Sequence, residues 1–126
     1  MPSDIRIIHA HEFLKATPDG RLDPDETKRV LVEIATASAP SNDYDILLDT
    51  RGAQSELTVT ELLDLAAELH SVRKVFSRKS AILVPRQRLD HAEFFAALAR
   101  DRGFDAAAFI SLGDAMAWLL DVPDSE

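Results

Sequence analysis

Cysteine is absent, and with it go disulfide staples, a thiol nucleophile and any thiolate metal site. That absence fits a reducing compartment, so a cytoplasmic location is the expectation. Glycine is scarce, with four residues set far apart, so the chain has no Gly-x-Gly-x-x-Gly turn or Walker loop to cradle a phosphate. Nor does a Gly-x-Ser-x-Gly elbow follow any apolar run. No apolar stretch approaches the roughly 20 residues that a membrane helix needs. The start, Met1-Pro2-Ser3-Asp4-Ile5-Arg6, lacks the basic opening and apolar core of a signal peptide. Positive charge is in the minority: 14 lysines and arginines stand against 22 carboxylates, a net −8. Phosphates would be repelled over most of such a surface, which argues against a nucleic-acid partner.

What is present is enough for a packed core. The 126 residues are 46% hydrophobic, and no repeat or low-complexity linker divides them, so one domain over 1–126 is expected. Its centre is Tyr44-Asp45-Ile46-Leu47-Leu48-Asp49-Thr50-Arg51-Gly52. The run Ile46-Leu47-Leu48, between carboxylates, is long enough for one strand and too short for a helix. An unbroken apolar strand implies cover on both faces. Leu48 is therefore expected to be so deeply buried that Leu48→Asp would abolish the fold.

Around that strand the elements alternate. Ile5-Arg6-Ile7-Ile8 and Glu12-Phe13-Leu14-Lys15-Ala16 read as an extended pair, and Pro18-Asp19-Gly20 as a turn. Asp23, Pro24 and Glu26 form a helix start, followed by the stripe Val30, Leu31, Ile34, Ala37. Thr58 and Glu61 make a second capping box, opening a helix that runs to Val72. Ala81-Ile82-Leu83-Val84 is a second parallel strand, and Asp90 with Glu93 a third capping box. Gly103 sits at a helix C-cap position, Ala107-Ala108-Phe109-Ile110 is a third strand, and Ser111 with Asp114 starts a short last helix. Strands alternating with amphipathic helices predict an α/β fold. It has a small, mostly parallel sheet of about five strands, with an antiparallel N-terminal strand and about four covering helices.

Two groups of residues then resemble a known family. Gly20-Arg21-Leu22-Asp23 before a helix, with Ile46-Leu47-Leu48-Asp49 after it, resembles the Gly-x-Leu-Asp and strand-Asp pattern of STAS domains, the anti-sigma-factor antagonist fold. The ending, Arg102-Gly103-Phe104-Asp105 through Phe109-Ile110-Ser111 to Ala117-Trp118-Leu119, is similar to the SpoIIAA-like branch. The resemblance implies a non-enzymatic regulatory domain that binds a protein partner, without a cofactor. Regulatory members carry a phosphorylatable serine in an Asp-Ser-x-Gly-like motif at the start of the helix after the central strand. Asp49-Thr50-Arg51-Gly52 imitates those letters but falls at the strand end. Thr58 matches the phosphoacceptor in place, with Leu57 where the aspartate belongs, and its capping box with Glu61 already accounts for it.

His9 and His11 share a strand face but lack a third ligand, so no metal site is expected. His70, late in a helix, is accounted for by the helix dipole. The carboxylates sit at caps and strand ends, where structure alone uses them. The basic run from Arg73 to Lys79 reads as a solvated connector. The polar set that stands out is Arg51, Arg86 and Arg88 with Thr58 and His91. All five follow parallel strands or open helices, so they belong at the carboxyl edge of the sheet, where open α/β sheets take ligands. Together they form a candidate anion-binding site. The alternative to partner binding is thus a carrier or sensor of a small anionic or amphipathic ligand at that edge; a homodimer is compatible with either reading. A pocket at the edge would favour the carrier, and an apolar patch on the helix from Thr58 would favour a protein partner.

Overall fold

The computed structural model describes residues 5–10, 13–38, 45–55, 57–68 and 78–120. It opens with an antiparallel pair, β1 (Ile5–Ala10) and β2 (Phe13–Pro18), in which Ile5 faces Pro18 and Ala10 faces Phe13. The turn expected at Pro18-Asp19-Gly20 is there, with Gly20 at φ +79°, a conformation that costs glycine nothing. The chain then enters a three-residue strand, β3 (Gly20–Leu22), before α1 (Pro24–Ser38). Asp23 caps α1, its carboxylate accepting from the Glu26 amide at 2.8 Å.

The central strand β4 (Asp45–Asp49) pairs in parallel with β2 on one side and with β6 (Lys79–Leu83) on the other. Between them come a second short strand, β5 (Ala53–Ser55), and α2 (Val59–Glu68). The expected continuation of α2 to Val72, His70, and the basic run up to Ser77 lie outside the described residues. After β6 follow a tight 3₁₀ turn (Arg86–Arg88), α3 (Leu89–Asp101), β7 (Asp105–Phe109) and α4 (Leu112–Leu119). The main sheet has the order β1-β2-β4-β6-β7, with β1 antiparallel and the other four parallel. A separate two-stranded parallel sheet, β3 with β5, extends beyond the carboxyl ends of β2 and β4. Neither of its strands is visible as a pattern in the sequence, because three residues carry too little periodicity to register.

Alternation along the strands divides the core in two. Leu14, Ala16 and Ile46 join Val30 and Ile34 of α1 and Ala96 and Ala99 of α3 on one face. Leu47, Ala81 and Leu83 meet Ala115 and Leu119 of α4 on the other. Phe109 and Trp118 close that second face, ring centroids 5.6 Å apart, with the Lys79 ammonium 5.3 Å from the Trp118 ring and donating to its carbonyl at 2.8 Å. At the amino edge, Asp45 accepts from Arg78 Nε and the Lys79 amide, each at 3.1 Å, which ties the starts of β4 and β6 together. Arg78 and Lys79 thus serve structural contacts, whereas the sequence suggested solvated charges.

Two local expectations need correcting. Asp90 does not cap α3: the helix begins one residue earlier, and Arg88 stands at its N-cap without a side-chain capping bond. The 3₁₀ turn set up by Pro85 supplies backbone acceptors instead, Arg88 N donating to Pro85 O at 2.9 Å and Leu89 N to Arg86 O. The other correction concerns Leu48, which is half-buried and not enclosed on both faces. The other end of α3 is as expected. Gly103, at φ +91°, donates to Arg100 O, and Phe104 N donates to Ala99 O, a Schellman closure that seats Phe104 in the core.

Leu47 and Leu48 therefore take different substitutions. Leu47 is 1% exposed, so an unpaired carboxylate there costs several kcal/mol against a total of roughly 5–15 kcal/mol. Leu47→Asp should lose cooperative thermal unfolding. Leu48→Asp, whose carboxylate faces a space open to solvent, should still melt cooperatively, at a lower temperature.

Candidate functional site

Leu48 is half-buried because α2 does not lie flat on the sheet. It packs against α1 and α3, bridging them, and its buried Leu62 and Leu65 face the strands across a gap. The gap is a cavity of about 360 Å³ at the carboxyl edge of the sheet. Leu48, Ile82 and Val84 form its floor, Leu62 and Leu65 its roof, and Val30, Leu31 and Phe95 its sides. Leu22 of the small sheet closes one end. Among the described residues, polar groups enter only through Thr27, Thr50, Gln87, Arg88 and His91. A volume above about 300 Å³ with mostly apolar walls and few polar groups is the usual make-up of a small-molecule site.

Two of the five residues read from the sequence as a site, Arg88 and His91, line this cavity. They arrive together because the 3₁₀ turn after β6 folds Arg88 back over the sheet edge, while His91 occupies the first turn of α3. The Arg88 guanidinium donates from Nη2 to the Thr50 carbonyl at 2.6 Å. Its Nε is buried with no hydrogen-bond partner, and burial pulls the pKa of the group below the ordinary arginine value.

The other three residues sit elsewhere. Arg51 forks onto Asp49, with Nε to Oδ1 and Nη2 to Oδ2, both at 3.0 Å, and its own amide adds a third bond to Oδ1. Thr58 caps α2 in a reciprocal box, its amide donating to Glu61 Oε1 at 2.9 Å and its Oγ1 accepting from the Glu61 amide at 3.2 Å. Arg86 is exposed on the 3₁₀ turn. His9 lies in β1, and His11 is outside the described residues.

The residue the sequence reading passed over is Thr50. It is buried, and both its amide and its hydroxyl donate to Leu83 O, at 2.8 and 3.0 Å. Its carbonyl accepts from Ala53 N and from Arg88. Thr50 therefore joins the ends of β4 and β6, the start of β5 and the polar end of the cavity. A hydroxyl immediately after an apolar parallel strand was the available signal, since that is where ligands meet such sheets.

No family model matches the sequence, and no curated protein matches it. Solved structures do match it in fold, two of them over nearly the whole chain. One is an uncharacterised protein with a SpoIIAA-like fold from Shewanella loihica PV-4, with TM-score 0.62 and 18% identity, covering 94% of each chain. The other is an anti-sigma factor antagonist from Mycobacterium paratuberculosis, with TM-score 0.62 and 15% identity, covering 94% of this chain and 95% of that one. The chain has the STAS/SpoIIAA-like fold expected from its element order.

The Asp49–Arg51 pair gives the edge a measurable pH signature. Burial alone would raise the Asp49 pKa, but the Arg51 side-chain and backbone hydrogen bonds and the nearby positive charge outweigh it and hold the carboxyl below its ordinary value. A lowered folded-state pKa stabilises above the unfolded value, and the contribution is lost as pH falls through the folded value. Arg51→Ala should cost about 1 kcal/mol at neutral pH, a modest figure because the guanidinium is well exposed. The gap between parent and variant, read from urea midpoints, should shrink as the pH falls through the acid range where Asp49 protonates.

Proposed function

We propose that the chain is a non-enzymatic STAS-type regulatory domain that senses or carries a small, largely apolar molecule. The cavity between α2 and the sheet carries this reading. A core that closed on itself would leave no such space, since protein interiors are packed to crystal-like density. Here Leu48 and Ile82, near the carboxyl ends of the adjacent inner strands β4 and β6, are left half-covered and line it. The anti-sigma factor antagonist among the structural neighbours supports a regulatory role, and its fold is one not generally associated with catalysis.

A second reading, direct docking of a protein partner, is favoured by the outer face of α2. Val59 and Leu63, one turn apart, are 54% and 43% exposed beside the capped start at Thr58. The two readings meet in one helix, because α2 both roofs the cavity and presents this strip. Occupancy beneath the helix would bear on what binds above it.

The neutral fluorophore N-phenylnaphthylamine tests the cavity. It should brighten on binding the parent, and Ala92→Phe, which pushes a ring in from α3, should weaken that binding about tenfold or more by filling the space. The variant should melt at or above the parent temperature, since it removes a void. No brightening in the parent, or equal brightening in parent and filled variant, would sink the ligand reading. On the partner side, Leu63→Glu should leave probe binding and melting temperature as they are while abolishing capture of a protein partner in pull-downs.

A further inference from the structure

We propose that the occupant is an amphipathic monoanion of the carboxylate class, its head on Arg88 and its apolar body along the cavity; this rests on the cavity being a ligand site. The argument begins with the charge balance of Arg88. The side chain is half-buried against apolar walls, and a charge taken out of water is costly unless an opposite charge or enough hydrogen-bond acceptors meet it. Among the described residues, three other arginines have a carboxylate: Arg29 has Glu26, Arg51 has Asp49 and Arg78 has Asp45. Arg88 has one neutral carbonyl, that of Thr50. A guanidinium offers five donors in a planar fork, so most of its capacity is unspent on the protein. The group it is shaped to receive is a planar carboxylate, bound through two parallel hydrogen bonds.

The surroundings decide the rest of the molecule. Among the described residues no lysine and no second arginine lines the cavity beside Arg88 in the way a doubly charged phosphate would need, and Arg51 and Arg86 do not line it. His91 and Gln87 stand with Arg88 as polar lining residues, while Leu48, Ile82, Leu62 and Phe95 supply apolar surface. A cavity of about 360 Å³ is of small-molecule size, and a medium-chain fatty acid is of that class. An isolated anion would forgo the apolar walls, and a neutral hydrocarbon would leave the guanidinium unmatched. A molecule with both parts meets both.

The test is displacement of bound N-phenylnaphthylamine from the full chain by decanoate and by decanol, which share a tail and differ in the head. Decanoate should displace the probe at concentrations lower by about tenfold or more, the usual worth of a hydrogen bond to a charged group. Arg88→Met and Arg88→Gln should each abolish that preference while decanol displaces as in the parent. The parent comparison stands without the variants, should either of them fold poorly. Equal displacement by the two compounds, or a preference that survives in both variants, overturns the head-group assignment and leaves the cavity reading standing. Failure of the probe to bind at all overturns both.

Discussion

Everything at the carboxyl edge depends on β4 being held in parallel register between β2 and β6. With Ile46 opposite both Leu14 and Ser80, and Leu48 opposite Ala16 and Ile82, successive side chains of β4 are committed to opposite faces. Leu47 goes to the α4 side and is sealed there by Ala81, Leu83, Ala115 and Leu119. Ile46 and Leu48 go to the side of α1 and α3. A slip of one residue would exchange the two sets, placing Leu47 in the cavity and Leu48 against α4. The Asp45 contacts with Arg78 and Lys79 at one end, and the Thr50 contacts with Leu83 at the other, hold that register from both ends of the strand.

From the register the cavity follows. The helices α1 and α3 fill the sheet face near Ile46, but α2 is borne on those helices and leaves Leu48 and Ile82 half-buried, lining the cavity. The small sheet of β3 and β5 then adds Leu22 as an end wall. Polar atoms collect where the strands stop, since the last residues of parallel strands turn their peptide groups out of the ladder. Thr50 and the 3₁₀ turn at Arg86–Arg88 occupy that position. The division between an apolar body and a polar end is thus a consequence of sheet topology.

The fold was legible because its signals are local and repeated. Asp23 with the Glu26 amide, Thr58 with Glu61, Ser111 with Asp114, and the Gly103 closure are each fixed by a few neighbouring residues, and each forms as its letters imply. The same local logic failed at Asp90, where a prolyl 3₁₀ turn reached the helix start first. It was silent on β3 and β5, whose pairing partners lie 33 positions apart and whose three residues each show no periodicity. Of the five residues grouped from the sequence, Arg88 and His91 line the cavity, whereas Arg51 met Asp49, two residues away, a match that motif reading did not weigh.

The sequence by itself determined the alternation of strands and helices, the caps that start and stop them, and the edge of the sheet at which polar residues gather. These are properties of periodicity and short-range hydrogen bonding, and both are written in neighbouring letters. Only the tertiary structure decided that α2 stands off the sheet. It also decided that Leu47 is sealed while Leu48 lines a cavity, and that Arg88 lacks a carboxylate while Arg51 has one. Two adjacent leucines are identical in composition and hydropathy. What separates them is the element packed over each face, and that is set by how distant helices share the sheet.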